Sequence, residues 1–324
     1  CRMLESAPVR IGRQWLRAIM RWWPLYLLML ALNLFISGAG VPGVPWMQYV
    51  VLAQNLAWPH PEFFGEAWIV AAAVMMALLI PLAVRFLARC SFAVGVRWIV
   101  CPLLVGCVVR SLVIGLQDPA FDLGVRKILL MRLDLPFYGV LAGWLWMHRR
   151  NELLRWRRAL AASGVIALAA TAYVYVSVAL DESVLARNAL LPLCDLGCAM
   201  LLPWACSLRL GDRVGKVLRV VAASMYAGLL THVTVLRLGV FLGLPLAAQS
   251  VLQGFLMLSA CILVCGGVAI LVWWLLDRPW LLLLEAAGQK PELAGFQSFM
   301  TNDLQWLLDR PVTDLVRYRA QSHT

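Results

Sequence analysis

The feature that most constrains this chain is a series of long apolar runs, each about as long as a membrane is thick. A helix that crosses the hydrocarbon core of a bilayer needs about 20 predominantly apolar residues. Eight runs of roughly that length occur, at residues 23–40, 67–89, 92–116, 129–147, 159–180, 188–208, 220–244 and 249–276. The sequence therefore predicts an all-α, polytopic integral membrane bundle of about eight transmembrane helices.

The composition excludes a soluble globular protein. Hydrophobic residues make up 62% of the 324 residues and charged residues only 14%, whereas about 25% of a soluble domain is charged. Lipid must solvate such an excess, so membrane lipids are a predicted partner. The net charge of +11 sits in short stretches between the runs, so it indicates membrane orientation, and we expect no nucleic-acid partner.

The segments between the runs alternate in charge. Clusters of arginine stand before the first run and after the second, fourth and sixth runs, and the remaining segments are acidic or balanced. Basic segments stay on the cytoplasmic side of a membrane. We therefore predict a multi-pass protein in which both ends of this sequence are cytoplasmic.

Three regions are expected along the chain. In residues 1–22, arginine recurs every three or four positions, which predicts a basic amphipathic helix at the cytoplasmic interface. Residues 23–285 form the transmembrane domain, and residues 286–324, of mixed composition, form a cytoplasmic tail. Because the sequence opens with Cys1 and not with Met, we expect a piece that lacks upstream sequence.

Ionisable side chains inside apolar runs are costly and mark functional candidates. They are Arg110, Arg132, Asp134, Asp195, His232 and Arg237. The first four fall about 5–10 Å from the outer ends of their runs at 1.5 Å per residue, so we expect them to line one polar cavity. His232 lies about 18 Å in and is the residue type that titrates near neutral pH. Structural ion pairs, and plain packing of His232, remain open alternatives.

Arg132 and Asp134 pose a pairing problem. Residues two apart on a helix do not face each other, so each of these side chains is expected to find a partner on another helix. The alternatives are that Pro136 distorts the turn or that Arg132 extends to the lipid headgroups. The sequence shows no metal-ligand spacing, no phosphate-binding glycine loop and no nucleophile motif. We therefore predict no metal site.

Several short motifs occur in a fixed order. They are Arg21-Trp-Trp-Pro-Leu-Tyr26, the segment from Gln54-Asn55 to Phe63-Phe-Gly-Glu-Ala-Trp68, Arg132-Leu-Asp134 with Gly139, Ser224-Met-Tyr226 with His232, and Asp277-Arg-Pro279. These residues are similar to the R-I-x-P-x-Y, QN…FFGEAW, R-x-D-x4-G, S-Y-S-L-Y-L-I-H and E-x-P motifs of the membrane acyltransferase-3 family. Over about residues 9–285, the chain resembles these O-antigen and exopolysaccharide O-acetylases.

The resemblance implies an O-acyltransferase of the bacterial inner membrane built as a ten-helix bundle. Such an enzyme takes an acyl group, usually acetyl, from cytoplasmic acyl-CoA and moves it to a hydroxyl of a periplasmic glycan or lipid-linked saccharide. The acyl-CoA is a donor substrate, and no cofactor is expected to stay bound.

The resemblance also implies residue roles. His232 and Glu66 would be catalytic, with Glu66 at the outer mouth of the site. The side chains that would contact substrate are Arg132, Asp134, Arg110, Asp195 and Tyr226. Arg17 and Arg21 would hold the phosphates of the donor, although contact with anionic lipid explains these two arginines equally well.

The chain departs from the family pattern in three respects. The family's catalytic histidine lies in an R-x10-H motif of the first span, which would precede residue 1, so the first two of ten spans are expected to be absent. Where the family carries paired glutamates, this chain has Ala73 and Val74, and the serine of the His232 helix is one place out of register. These departures predict weak or no turnover, and a small-molecule or lipid-linked glycan transporter and a degenerate family member are the alternatives.

Overall fold

A computed structural model of the chain describes residues 11–36, 46–58, 64–208, 210–242 and 250–287. Every regular element within these ranges is helical, which confirms the all-α prediction. The α-helices are α1 (Ile11–Ile36), α2 (Trp46–Val50), α3 (Ala67–Leu87), α4 (Phe92–Gln117), α5 (Leu135–Arg155), α6 (Arg157–Ser177), α7 (Val184–Ala205), α8 (Asp212–Phe241), α9 (Val251–Val272) and α10 (Arg278–Ala287). Single helical turns of other types cover Phe121–Arg126, Leu129–Arg132 and Trp273–Asp277.

Seven helices in the described ranges are long and apolar enough to cross a membrane. They are α1 from Ala18 onward, α3, α4, α6, α7, α8 and the continuous stretch Leu252–Leu284. The protein is therefore a multi-pass membrane protein. The one predicted span missing from the seven, residues 129–147, corresponds to α5, which begins only at Leu135 and is 21 residues long. Its second half carries several arginines, so α5 is too polar along its length to count among the seven.

The first helix is longer than the sequence predicts. We expected residues 1–22 to form a separate helix at the membrane surface, but residues 11–22 continue into the first span within α1. The indole Nε1 of Trp15 donates a hydrogen bond to the carbonyl oxygen of Leu78 in α3 at 3.1 Å. This part of α1 therefore packs beside α3, and residues 1–10 lie outside the described ranges.

The helices pack in two groups. In the first group, α3 packs against α1, α1 against α8, and α8 against α9. Helices α4 to α7 form the second group, and α3 contacts α5 between the two groups. The apolar core of the first group includes Tyr26, Phe64 and Leu230, which are all fully buried. In the second group, α6 and α7 approach closely at Gly164 and Gly197, as small residues allow in membrane bundles.

The alternating helices divide the polar segments between two ends of the bundle. One end, called the basic end below, carries Arg85 in the last turn of α3, Arg89 just after α3, Arg157 at the start of α6 and Arg213 at the start of α8. The sides of the bundle are strongly apolar, and Val176, for example, is 84% exposed. Such a surface suits lipid contact.

Candidate functional site

After α1 the chain folds back into the bundle. The Nε1 of Trp23 donates to the carbonyl oxygen of Val50 at 2.9 Å, and the hydroxyl of Tyr26 donates to the carbonyl oxygen of Tyr49 at 2.9 Å. Trp23 lies about 20 Å before the end of α1 at Ile36. Residues 46–58, called the returning segment below, therefore lie beside the middle of α1.

The backbone of the returning segment is mostly irregular. Helix α2 stops at Val50, and Leu52 follows with a φ of 58°, in the left-handed region. Irregular backbone at membrane depth is tolerated only where protein or a water-filled cavity surrounds it. That condition is met here, because Tyr49, Gln54 and Asn55 are completely buried.

Two amides attach the returning segment to its neighbours. The Nε2 of Gln54 donates to the carbonyl oxygen of Ala67 at 2.9 Å, at the start of α3. The Nδ2 of Asn55 donates to the carbonyl oxygen of Lys127 at 2.6 Å, and the Asn55 carbonyl accepts from the amide of Leu129 at 2.8 Å. The segment therefore joins α3 to the polar connection that precedes α5.

Glu66 precedes α3 and is only 5% exposed. Its Oε2 is buried and has no hydrogen-bond partner. The ring of Phe64, two residues earlier, stacks on Tyr26 with ring centroids 5.8 Å apart. Glu66 therefore lies near the level of Tyr26 of α1, directly before the first residue of α3.

The electrostatic surroundings of Glu66 pull in two directions. Burial raises the pKa of its carboxyl group above the usual range. Its own backbone N–H and the charges of His232, Arg237 and Lys127 act in the opposite direction. The structure thus brings Glu66 and His232, which the motifs place far apart in the sequence, into one electrostatic environment.

His232 lies on α8 and is half-buried. Its Nδ1 is 2.9 Å from the carbonyl oxygen of Leu229 and 3.1 Å from that of Gly228. Carbonyl oxygens only accept hydrogen bonds, so Nδ1 carries the hydrogen and, in the neutral ring, Nε2 keeps a lone pair. A neutral imidazole of this kind can accept a proton at Nε2.

The returning segment also leaves hydrogen-bond acceptors unused. Four buried oxygen atoms have no hydrogen-bond partner: the Oε1 atoms of Gln48 and Gln54, the Oδ1 of Asn55 and the Oε2 of Glu66. Buried polar atoms are normally paired with protein or ordered water. All four atoms are oxygens, so the groups that would satisfy them are donors, such as water or the hydroxyl of a bound molecule.

The charged residues expected to line a cavity are instead paired with one another. Arg110, fully buried on α4, bonds Asp134 at 2.6 Å and donates to the carbonyl oxygen of Met131 at 2.9 Å. Arg132 bonds Asp195 of α7 at 2.9 Å. The expectation that Arg132 and Asp134 each have a partner on another helix is confirmed, and the geometry favours structural ion pairs that join α4, α5 and α7.

Tyr226 lies apart from Glu66, toward the basic end. Its hydroxyl donates to the carbonyl oxygen of Trp22, and the two rings meet edge to face at 5.0 Å. Asp277, which is 6% exposed, interacts electrostatically with Arg21 and with Tyr226. Arg21 thus has an acidic neighbour within the protein. The side chain of Arg17 lies outside the described residues.

The sequence analysis did not predict three buried polar contacts. Asn33, which is 2% exposed, donates to the hydroxyl of Thr234 at 3.2 Å and joins α1 to α8. Arg187, 3% exposed, bonds Asp118 at 2.6 Å. Asp277 is the third, although it lies inside a quoted motif. A polar residue within an apolar run is the available signal for Asn33, whereas Arg187 lies one position before the apolar run 188–208.

No family model, curated protein or solved structure matches the chain. Among the residues that the structure describes, no group of three or more histidine, cysteine, aspartate or glutamate side chains could hold a metal ion.

Proposed function

We propose that the chain acts as a membrane-bound O-acyltransferase, with acyl-CoA bound at the basic end and a glycan hydroxyl entering from the opposite side of the membrane. The observation that carries the proposal is the buried, unpartnered Oε2 of Glu66. It stands close in the fold to His232 and to the unpartnered amide oxygens of Gln54 and Asn55. These acceptors suit a molecule rich in hydroxyl donors.

Acyl transfer to a hydroxyl needs a base. The hydroxyl oxygen attacks the carbonyl carbon of the thioester, the new C–O bond forms, and the C–S bond breaks to release the thiolate of coenzyme A. The hydroxyl proton passes to the carboxylate of Glu66 or to the Nε2 of His232. General base catalysis of this kind typically contributes about 10²–10⁴-fold to the rate.

The position of the returning segment beside α1 supports transfer across the membrane. Arg21 precedes Tyr26 by about 8 Å along α1, and Phe64 stacks on Tyr26. Phe64, which lies two residues before Glu66, and the pair of Arg21 and Asp277 therefore lie close together along the axis of α1. An acyl group held on the long arm of coenzyme A then has only a short distance to cross.

A transporter is the second candidate, because one observation favours it. Transporters bind their substrates near the middle of the membrane, at segments whose backbone is not continuously helical. The returning segment has this character. Uptake of a saccharide by vesicles that contain no acyl-CoA would favour transport over acyl transfer.

The test compares Glu66→Gln with Glu182→Gln in the protein expressed from its complete gene. The substitutions are chemically identical, and Glu182 is exposed in the connection before α7. We expect Glu66→Gln to lower transfer of radiolabelled acetyl groups to periplasmic glycan about 10²-fold or more, and Glu182→Gln to leave it unchanged. His232→Gln should also lower it.

The pH dependence follows from the raised pKa of Glu66. A carboxyl group accepts a proton only above its pKa, so the rate should fall with decreasing pH while ordinary carboxyl groups are still ionised. A wild-type rate in both Glu66→Gln and His232→Gln would remove the site assignment.

A further inference from the structure

A cavity lies at the basic end, away from Glu66 and independent of the proposed function. Helix α5 is kinked at Arg149, whose φ of −133° and ψ of 32° are not helical. The chain turns into α6 shortly afterwards, at Trp156. A cavity of about 450 Å³ opens beside this kink, and it is lined by Phe92, Leu145, Arg149, Glu152, Leu153, Trp156 and Leu160.

The walls of the cavity are mostly apolar, and their two charged side chains are Arg149 and Glu152. Leu145, Leu153 and Leu160 supply aliphatic surface, and Trp156 is 60% exposed beside them. Tryptophan is enriched where a membrane protein crosses the boundary between hydrocarbon and water. The cavity therefore has the two-part character of a site for a molecule with an apolar part and an anionic part.

The charge around the kink is strongly positive. Residues 149–158 contain five arginines and one glutamate, a net charge of +4. The guanidinium of Arg149 lies 5.1 Å from the centroid of Phe92, and that of Arg155 lies 6.0 Å from the centroid of Trp156. Stacking on aromatic rings holds a guanidinium in place while its N–H groups stay available.

Glu152 pairs with Arg149 but occupies only part of its guanidinium. It bonds the Nη1 of Arg149 at 2.7 Å, and both side chains are at least half exposed. A guanidinium has five N–H donors in a planar fork, so the contact to Glu152 leaves most of them for a second oxygen ligand. Phosphate oxygens match this fork well.

We propose that this cavity binds one anionic phospholipid from the leaflet at the basic end. The headgroup phosphate accepts hydrogen bonds from Arg149 and lies in the field of the neighbouring arginines. One acyl chain lies against Leu145, Leu153 and Leu160. Basic pockets between transmembrane helices are suited to anionic headgroups, and the aliphatic wall favours a lipid over a soluble phosphate.

The test measures lipid binding to the delipidated, detergent-purified protein by native mass spectrometry. The probes are phosphatidylglycerol, phosphatidylcholine and coenzyme A, which present an anionic lipid, a neutral lipid and a soluble phosphate. Arg149→Gln removes the proposed contact, and Arg149→Lys keeps its charge. Arg219→Gln, an exposed arginine of α8 near the same end, is the matched control.

We expect one phosphatidylglycerol to remain bound at least about fivefold more tightly than phosphatidylcholine. Arg149→Gln should remove that preference, Arg149→Lys should keep part of it, and Arg219→Gln should keep all of it. Equal retention of the two lipids by the wild type would overturn the proposal. So would an unchanged preference in Arg149→Gln, or displacement of phosphatidylglycerol by coenzyme A at equal concentration.

Discussion

At the scale of single residues, the buried charges of this protein divide into those that are satisfied and those that are not. Arg110 belongs to the first kind, because it bonds Asp134, Met131 and the carbonyl oxygen of Asn188, at 3.0 Å for the last. Glu66 belongs to the second kind, since its Oε2 lacks a partner. An unpaired buried oxygen is costly to maintain, which is why Glu66 carries the functional proposal and Arg110 does not.

The Arg110–Asp134 pair gives a prediction about stability. Arg110→Met leaves the buried Asp134 carboxylate uncompensated, and breaking a buried pair in this way typically costs about 3–5 kcal/mol. The double variant Arg110→Met/Asp134→Leu removes both charges and should recover most of the loss. The measurement is thermal unfolding of the purified protein in detergent. A double variant less stable than Arg110→Met would contradict this account.

The sequence predicted part of this arrangement. The spacing of Arg132 and Asp134 favoured partners on other helices, because residues two apart on a helix point in different directions. It could not identify those partners, since Asp195 lies 63 positions from Arg132 along the chain. Such a contact depends on which helices pack side by side.

At the scale of elements, the returning segment is the main departure from the predicted spans. The sequence from residue 41 to 66 contains no run long enough to cross a membrane, and its lack of Lys and Arg predicts a connection on the outer side. The structure instead places residues 46–58 beside the middle of α1, where Trp23 and Tyr26 bond its carbonyl groups. Interior position depends here on individual hydrogen bonds, which hydropathy does not report.

The contact between α6 and α7 gives a prediction about packing. A Cβ at Gly164 would lie 2.8 Å from the carbonyl oxygen of Gly197, whereas a Cβ at Gly143 of α5 would have no heavy atom within 4 Å. Gly164→Ala must push two backbones apart, and overpacking of this kind costs about 1–3 kcal/mol.

Gly143→Ala is the matched control for Gly164→Ala. It adds the same methyl group to a helix and should leave stability unchanged or raise it by up to about 1 kcal/mol, because alanine is the better helix former. Thermal unfolding of the two variants in the same detergent makes the comparison. Equal unfolding midpoints of the two variants would show that the backbones of α6 and α7 are farther apart at Gly164 and Gly197 than the structure has them.

At the scale of the whole molecule, the alternating charge of the connecting segments and the alternating direction of the helices agree. The basic end gathers arginines from segments that are distant in sequence, such as Arg89 and Arg213. The positive-inside rule then predicts that this end faces the cytoplasm.

Cysteine labelling checks this orientation. In a background without native cysteines, Glu182→Cys should react with a membrane-impermeant maleimide in intact bacterial cells. Asp212→Cys, at the start of α8, should react only after the cells are made permeable, since it lies at the basic end. Both side chains are exposed, so the difference reports sidedness. The reverse pattern would invert the topology and with it the proposed sides for acyl donor and acceptor.

The sequence by itself determined that this protein lies in a lipid bilayer, because apolar runs of about 20 residues dominate a chain of which only 14% is charged. It also determined the all-α class and the intramembrane residues that needed partners. The tertiary structure decided that Arg110 pairs with Asp134 and Arg132 with Asp195, and that Glu66 lies near His232. Hydropathy is additive along the chain, whereas pairing depends on which helix faces approach each other.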